Sequence, residues 1–413
     1  MDYTFFQYQA PNTMNRILLV ALVCLTSTLF AQTWEQQGDA LVGRHHPISF
    51  SLDGKGYAIT GTLISGQPTD DAYEYDPVTD TWTSIADFPG TARSFGIGTV
   101  TNNIAYLGLG ATNNQYLNDF WSFEPSTGTW TQLANCGCSG RRHPAMIATA
   151  TKVYVGLGDD ATGNLKDWWM YDIAANSWTQ LADLPGVIRH HPFMFNAGGE
   201  VFAGMGHGNS IYKDWYKLDT LANTWTAMND FPGEARVAGT QFSYNGLGYV
   251  ISGDGDNHDF MQTGEFWEYT PATDSWEELP PHPGISRWAP GSFTIDNDVY
   301  FFGGQNRQTN AFPSDVWKYS LPAAPGPPVI SGIADQVLAN TFVYPNPSNG
   351  VIFWKNDESV NEVKVYNTLG KLVLSSAAEG KQLDAQELNS GIYIVQFYSN
   401  ASVVKTSKLL IQQ

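Results

Sequence analysis

A tryptophan recurs along this chain of 413 residues at nearly constant spacing, and this repeat constrains the fold more than any other feature. The successive intervals are 48, 48, 48, 47 and 51 residues. The members of the set are Trp34, Trp82, Trp130, Trp178, Trp225 and Trp276. A period of this length indicates an array of similar units, each of which needs its neighbours to bury its apolar face.

Two further residue types follow the same period. An arginine recurs at intervals of 49, 48, 48, 47 and 51 residues, at Arg44, Arg93, Arg141, Arg189, Arg236 and Arg287. An acidic residue that precedes an aromatic segment also marks each unit, at Asp71, Asp119, Asp167, Asp214, Glu265 and Asp315. Three independent markers therefore agree on six units.

Each unit contains four strand-like segments separated by turn residues. Glycines mark the end of the second segment, and Asp, Pro and Thr residues separate the third segment from the tryptophan segment, as in residues 76–80. Aromatic residues make up 14% of the chain and it has 40 glycines, which suits short strands and tight turns. The sequence predicts an all-β fold with one four-stranded antiparallel sheet per unit.

These glycines, the aromatic-Asp-Pro turn and the following tryptophan resemble the Kelch repeat. The resemblance implies a six-bladed Kelch-type β-propeller over residues 32–320. The adjacent glycine pair of the family is present only at Gly303 and Gly304, whereas most other units have Gly-x-Gly and the first has Gly61 alone. We expect the fold to tolerate this departure.

The two ends of the repeat region predict how the ring closes. Trp34 is a last-strand tryptophan without the rest of its unit, and the unit that begins at Arg287 ends after Tyr319 without a tryptophan strand. Pairing the N-terminal strand into the last blade would complete that blade and leave no open sheet edge.

Residues 1–31 are predicted to be an upstream extension and a signal peptide, with translation starting at Met14. Arg16 supplies a basic start, an apolar run covers residues 17–29, and Ala31 is small enough for a cleavage site. The run is shorter than the roughly 20 residues that a membrane-spanning helix needs, so we expect no transmembrane segment in the mature chain. Val23 precedes Cys24, which argues against lipid attachment at that cysteine.

Net charge and cysteine content limit the remaining function classes. A formal net charge of −19 would repel phosphate backbones, so nucleic acid is not an expected partner. Cys136 and Cys138 are separated by one residue and form no disulfide framework; the sequence leaves their state open.

The C-terminal region has a different pattern. Residues 321–341 form a Pro-rich linker, and alternating segments with turn residues predict a small β-sandwich over residues 342–413. Its sequence blocks, at residues 343–350, 363–373, 388–396 and 405–411, resemble the C-terminal sorting domain of the type IX secretion system of Bacteroidetes. The resemblance implies Sec-dependent export, contact with the type IX machinery and a secreted or cell-surface location. An adhesion or carbohydrate-binding sandwich is the alternative.

The six repeat arginines are candidates for a ring around the mouth of the central channel, which first strands line in propellers. One interpretation makes Arg44, Arg93, Arg141, Arg189, Arg236 and Arg287 part of a cationic cup for a carboxylate, sulfate or uronic acid group. The other pairs each of them with the acidic residue of its own unit. The second interpretation is the one that the equal numbers of arginines and acids favour.

Histidines near the arginines are stronger candidates for ligand binding. His46, His143 and His191 each follow a repeat arginine by two residues, but the corresponding positions of the other units hold Phe95, Ala238 and Ala289. A uniform structural repeat does not explain this uneven distribution. The adjacent residues His45 and His190 enlarge the cluster, and Trp288 could stack on a sugar. The alternative is that Trp288 is buried and that the histidines are packing residues.

These candidates favour a secreted or cell-surface binding module that recognises a glycan or protein through one propeller face. The alternative is an exported sugar-modifying enzyme such as a mutarotase or epimerase, which needs only acid and base groups. The fold also resembles that of galactose oxidase, but the cysteine joined to a tyrosine in that enzyme has no counterpart here. Residues 254–259 carry oxygen ligands without EF-hand spacing. The sequence assigns no catalytic residue, cofactor or metal.

Overall fold

The structure is a computed structural model. It describes residues 33–38, 42–255, 258–322, 343–344, 348–354, 360–367, 371–378, 381–399 and 402–412. The predicted signal peptide with its Met14 start, and all but the first two residues of the predicted linker, lie outside the described residues. Among the described residues, no helix has the length and apolar character needed to cross a membrane.

Six antiparallel sheets form between residues 35 and 320, one for each sequence unit. Their strands, with one short hairpin, are β1 (Glu35–Gln37), β2 (Arg44–His45), β3 (Ile48–Leu52), β4 (Lys55–Leu63), β5 (Pro68–Asp76), β6 (Thr81–Ser84), β7 (Ile97–Thr101), β8 (Ile104–Gly108), β9 (Phe120–Glu124), β10 (Thr129–Gln132), β11 (Ala145–Ala148), β12 (Lys152–Gly156), β13 (Asp159–Asp160), β14 (Gly163–Asn164), β15 (Trp168–Asp172), β16 (Ser177–Leu181), β17 (Phe193–Ala197), β18 (Glu200–Gly204), β19 (Trp215–Asp219), β20 (Thr224–Met228), β21 (Thr240–Tyr244), β22 (Leu247–Ile251), β23 (Gly264–Thr270), β24 (Ser275–His282), β25 (Gly291–Ile295), β26 (Asp298–Phe302) and β27 (Val316–Ser320).

The sheets are the blades of a six-bladed β-propeller. The innermost long strands contact one another around a closed ring in the order β3, β7, β11, β17, β21, β25 and back to β3. Apolar side chains fill the space between adjacent blades; Val153 and Val155 of β12, for example, are fully buried. The predicted fold class is confirmed.

The N-terminal strand completes the last blade, as the ends of the repeat predicted. Strand β1 pairs antiparallel with β27, and Glu35 lies opposite Lys318. The Trp34 ring packs against Phe266 and Tyr319, with ring centroids 5.8 and 5.2 Å away. Its indole N–H donates to the carbonyl oxygen of Pro280 over 2.9 Å. The first strand of the chain therefore joins the fifth and sixth blades.

Three other repeat tryptophans also donate an indole hydrogen bond to the preceding blade, whereas the indole N–H groups of Trp82 and Trp276 are buried without a partner. The indole N–H of Trp178 donates to the carbonyl oxygen of Ala134 in the preceding blade, over 2.8 Å. Trp225 makes the corresponding bond to Ala182 over 3.2 Å. Because an indole has a single donor, each of these tryptophans can make this bond only from its own position in the unit.

The missing glycine pairs have a structural explanation. In every unit the residue before the last glycine has a positive φ of 54–64°, at Thr60, Leu109, Leu157, Met205, Ser252 and Gly303. This conformation costs a residue with a side chain about 1–2 kcal/mol. In each unit a repeat arginine donates a hydrogen bond to the carbonyl oxygen of this residue. That bond helps to offset the cost, so the turn forms without the first glycine.

Cys136 and Cys138, whose state the sequence left open, form a disulfide. Both residues are buried in the interface between the second and third blades, in the cluster that contains Tyr106 and Val153. The bridge closes only a three-residue segment and joins no two blades. Packing and hydrogen bonds therefore hold the blades together.

The C-terminal region forms a small two-sheet structure, as predicted. Its strands are β28 (Val343–Tyr344), β29 (Val351–Trp354), β30 (Glu362–Asn367), β31 (Leu372–Ala377), β32 (Gln382–Asp384), β33 (Gly391–Ser399) and β34 (Ser402–Ile411). One sheet has the order β28-β29-β32 and the other β31-β30-β33-β34. Trp354 of the first sheet and Phe397 of the second belong to one buried core.

Candidate functional site

The six repeat arginines lie inside the blades. Their side chains are at most 8% exposed, and each contacts the acidic residue of its own unit: Asp71, Asp119, Asp167, Asp214, Glu265 or Asp315. In the third blade, Nη1 and Nη2 of Arg141 lie 2.7 and 2.8 Å from the two carboxylate oxygens of Asp167. Nη1 also donates to the carbonyl oxygen of Leu157 over 3.0 Å.

These contacts agree with the second interpretation of the sequence, in which each arginine pairs with the acidic residue of its own unit. The six arginines therefore lie outside the candidate ligand site. Their guanidinium donors already have partners within the blade, and burial shields them from a ligand. The residues concerned are Arg44, Arg93, Arg141, Arg189, Arg236 and Arg287. They stabilise the fold and position the loops that carry the histidines.

The position two residues after each arginine forms a ring at one mouth of the channel. Its six members have φ values of 48–62°: His46, Phe95, His143, His191, Ala238 and Ala289. The backbone N–H of His46 donates to Ala289 over 2.9 Å, and that of His191 donates to His143 over 3.3 Å. Because each bond crosses from one blade to the preceding one, the ring is held by the blades themselves.

Three of these positions bring imidazoles into contact. Nε2 of His46 lies 3.0 Å from Nε2 of His191. The ring centroids of His143 and His191 are 3.6 Å apart. The three side chains border a cavity of about 130 Å³ in the channel, which first-strand residues such as Ser49 and Thr240 also line. The structure thus brings together all three histidines that the sequence singled out.

Neighbouring side chains orient the three imidazoles. Nδ1 of His143 lies 2.9 Å from a carboxylate oxygen of Asp159, and Arg142 donates to the other oxygen of that carboxylate over 3.0 and 2.6 Å. Nδ1 of His46 lies 2.7 Å from Nδ1 of His45. Nε2 of His143 and Nδ1 of His191 are buried and have no hydrogen-bond partner. Two imidazole nitrogens are therefore free to accept a further contact.

Burial determines the charge of this group. It lowers the pKa of His46 and of His191 well below the ordinary value of 6.5, and neighbouring imidazoles lower both further. Burial also lowers the pKa of His143, although Asp159 partly opposes that effect. Burial disfavours ionisation of Asp159 too, but its bonds to His143 and Arg142 outweigh this and lower its pKa. The three imidazoles are therefore neutral at neutral pH.

A second group of histidines lies beside the first. His190, His207 and His258 each place a ring nitrogen within 4.8 Å of the others, and burial lowers the pKa of His190 to about 3. Nδ1 of His190 lies 2.8 Å from the side-chain oxygen of Asn164. Seven of the eight histidines in the chain consequently lie at this mouth, which we call the histidine mouth.

An arginine and a buried acid border the second group. Arg307 donates to the carbonyl oxygen of His258 over 3.3 Å, and its Nε lies 3.3 Å from Oδ2 of Asp254. Burial raises the pKa of Asp254 to about 7, which Arg307 partly counteracts. The intervening loop contains Asp256 and Asn257, which lie outside the described residues, so the oxygen ligands noted at residues 254–259 are not all placed.

Trp288 belongs to the same mouth. Its ring makes an edge-to-face contact with His46 at a centroid distance of 4.5 Å, and Cζ of Arg307 lies over it at 5.1 Å. The indole N–H is buried without a partner. Arg307 therefore covers part of the surface on which a sugar could stack.

Sequence reasoning missed several residues of the mouth: Arg142, Asp159, His207, His258 and Arg307. Backbone bridges join Arg142 to Asp159 and His190 to His207. The positions after the repeat arginine and after the last glycine of each unit thus face each other. Comparing those two positions across the units would have identified Arg142, Asp159 and His207.

Comparisons with known families agree with the two regions of the structure. Residues 60–89, which run from within β4 through β6 of the first blade, match the Kelch motif. Residues 342–412 match the Secretion system C-terminal sorting domain, which coincides with the region of β28–β34. No curated protein matches the chain. The chain thus combines a six-bladed β-propeller that carries a Kelch motif with a C-terminal region that matches the type IX secretion sorting domain.

Proposed function

We propose that this protein is an exported binding module that recognises a glycan or protein ligand through the histidine mouth, and that an acidic group of the ligand makes the central contact. The observation that carries the proposal is the convergence of imidazoles with Arg142 and Arg307 on one opening of an acidic protein. The ligand-contacting residues would be His46, His143, His191, Trp288, Arg142 and Arg307. The sorting domain would deliver this surface to the outside of the cell.

Two partly exposed cationic side chains lie there, although Arg142 is paired with Asp159 and Arg307 with Asp254. Arg142 is 38% exposed and Arg307 is 33% exposed, in contrast to the buried repeat arginines. A guanidinium binds a carboxylate or sulfate through two parallel hydrogen bonds, which gives both strength and orientation. Neutral imidazoles nearby can donate or accept hydrogen bonds with sugar hydroxyls.

The opposite end of the channel offers a different chemistry. It opens into a wider cavity of about 860 Å³ lined by residues such as Thr99, Asn196 and Ser243. Among the described residues that line it, only Asp296 is charged. An acidic ligand would meet no cation there, so we assign recognition to the histidine mouth. Among the described residues, no observation favours the sugar-modifying enzyme considered from the sequence.

A glycan array that includes uronic acid and sulfated glycans tests the proposal. We expect the purified chain to bind acidic members, and Arg307→Gln to weaken that binding at least tenfold. Lys217→Gln is the matched control, because Lys217 is also 33% exposed and ion-paired but lies on β19. Selective binding of neutral glycans, or equal effects of the two substitutions, would contradict the proposal.

A further inference from the structure

We propose that His46, His143 and His191 together bind one divalent transition-metal ion, such as Zn²⁺, Ni²⁺ or Cu²⁺, at the histidine mouth. One ring nitrogen from each residue lies within 4.8 Å of the other two. Imidazole nitrogen is a preferred ligand of all three ions. This inference goes beyond the proposed function, because it needs no glycan or protein ligand.

The distance between two of the three ligands fits a metal centre. A metal–nitrogen bond of about 2.0–2.1 Å places two ligand nitrogens about 2.9–3.4 Å apart for bond angles between 90° and tetrahedral. Nε2 of His46 and Nε2 of His191 are already 3.0 Å apart. In the metal-free protein one of these nitrogens must carry a hydrogen that the other accepts. A metal ion between them requires the Nδ1–H tautomer of both residues, so this hydrogen moves to Nδ1 of the same ring.

Of the three histidines, His143 has the surroundings that best suit a metal ligand. Nε2 of His143 is buried without a hydrogen-bond partner, whereas its Nδ1 contacts Asp159. A carboxylate on the second ring nitrogen is the arrangement that orients metal-binding histidines and makes them better donors. Arg142 in turn fixes Asp159. The structure thus contains a free donor atom together with the support that a metal ligand requires.

The backbone holds the site in place. All three histidines occupy left-handed positions, and the N–H groups of His46, His143 and His191 bond to the preceding blade. This frame keeps the three Cα positions fixed. The rings of His143 and His191, whose centroids are 3.6 Å apart, move apart when both coordinate one ion. Three protein ligands leave a position of a tetrahedral ion open to water or a ligand group. The adjacent cavity of about 130 Å³ has space for that group.

The second histidine group is the competing location, and its surroundings are less suitable. Nδ1 of His190 contacts Asn164 rather than a carboxylate. Arg307, a cation, donates to the backbone of His258. Among the described contacts, no carboxylate bonds to a ring of this group. We therefore assign the ion to His46, His143 and His191.

The test is titration of the purified chain, without a histidine tag and without any glycan, with Co²⁺ and Zn²⁺. We expect one equivalent of Co²⁺ to bind with a visible absorption band and to be displaced by Zn²⁺. His143→Gln and His191→Gln should abolish the band. Asp159→Asn should lower the affinity about 10- to 100-fold while leaving the three ligands in place.

His282→Gln is the control, because His282 is buried elsewhere, between the fifth and sixth blades. Melting of each metal-free variant shows whether it folds, and Asp159→Asn provides a reading if either histidine variant does not. Absence of a one-equivalent site would overturn the proposal. Loss of the ion in His207→Gln but not in His191→Gln would also overturn it, by moving the site to the second group. A failed glycan screen would leave this result unaffected.

Discussion

Arg141 and Asp167 are joined by two parallel hydrogen bonds within the third blade, whereas the next residue, Arg142, points to the histidine mouth and contacts Asp159. The Arg141 side chain is fully buried, while Arg142 is 38% exposed. Two adjacent arginines therefore have different tasks. One stabilises the blade, and the other belongs to the surface that we propose to bind ligand.

This contrast predicts different effects of two substitutions. Arg141→Ala leaves a largely buried carboxylate without its partner and should lower the free energy of unfolding by about 3–5 kcal/mol. Arg142→Ala removes a more exposed pair and should cost about 1 kcal/mol. Denaturant unfolding of the two variants measures both values. Equal losses would contradict the division of roles.

Closure of the ring by β1 predicts that its removal destabilises the propeller. Deletion of residues 33–37 would leave β27 as an unpaired edge and would remove Trp34 from its contacts with Phe266 and Tyr319. We expect a lower melting temperature and aggregation during size-exclusion chromatography. Glu35→Gln is the control, because Glu35 is 63% exposed and its ion pair with Lys318 contributes little. A monodisperse deletion variant with unchanged melting would refute the closure argument.

His282 predicts acid sensitivity of the fold. Burial, and after it the nearby Arg287, lowers the pKa of His282 from 6.5 to about 3. Below pH 6.5 the unfolded chain therefore binds a proton that the folded chain does not, and stability falls as the pH decreases toward 3. This one residue contributes up to about 1.4 kcal/mol per pH unit in that window.

Unfolding of the wild type and of His282→Gln between pH 4 and pH 7 measures this contribution. The free energy of unfolding should depend less steeply on pH in the variant, although its value at pH 7 is expected to be lower because the bond to Ser252 changes. Parallel pH profiles would show that His282 does not remain neutral in the folded protein.

The sorting domain predicts where a truncated chain accumulates. Deletion of residues 342–413 removes β28–β34 and leaves every strand of the propeller intact. In the native host, the truncated protein should be folded and retained in the periplasm, whereas the full chain should reach the medium or the cell surface. Fractionation with protease-resistance assays distinguishes the two locations. Normal export of the truncated chain would exclude a sorting role.

Features that repeat were predictable from the sequence, because a propeller reuses one set of contacts in each blade. The spacing of Trp34 and its successors predicted six blades and the closing strand. The pairing of Arg141 with Asp167 followed from the equal numbers of the two residue types. These contacts depend only on position within a unit, which the period fixes.

The histidine mouth was only partly predictable, because it depends on how blades meet rather than on any one blade. His46, His143 and His191 stood out because they break the repeat. His258 and Arg307 lie in loops whose lengths differ between units, so the period gave no register for them. The contact between His46 and His191 joins blades that are not adjacent in the ring, and no local pattern encodes it.

The pairing of β1 with β27 also connects closure of the propeller with export of the chain. Strand β27 precedes the sorting domain in the sequence. Every chain that has been synthesised as far as the sorting domain therefore also contains β27, the partner of β1. A product cut short within the propeller lacks both. In such a fragment β1 has no partner strand, and the sorting domain that directs export across the outer membrane is missing. The order of segments along the chain therefore limits the sorting domain to molecules that carry both strands of the closing pair.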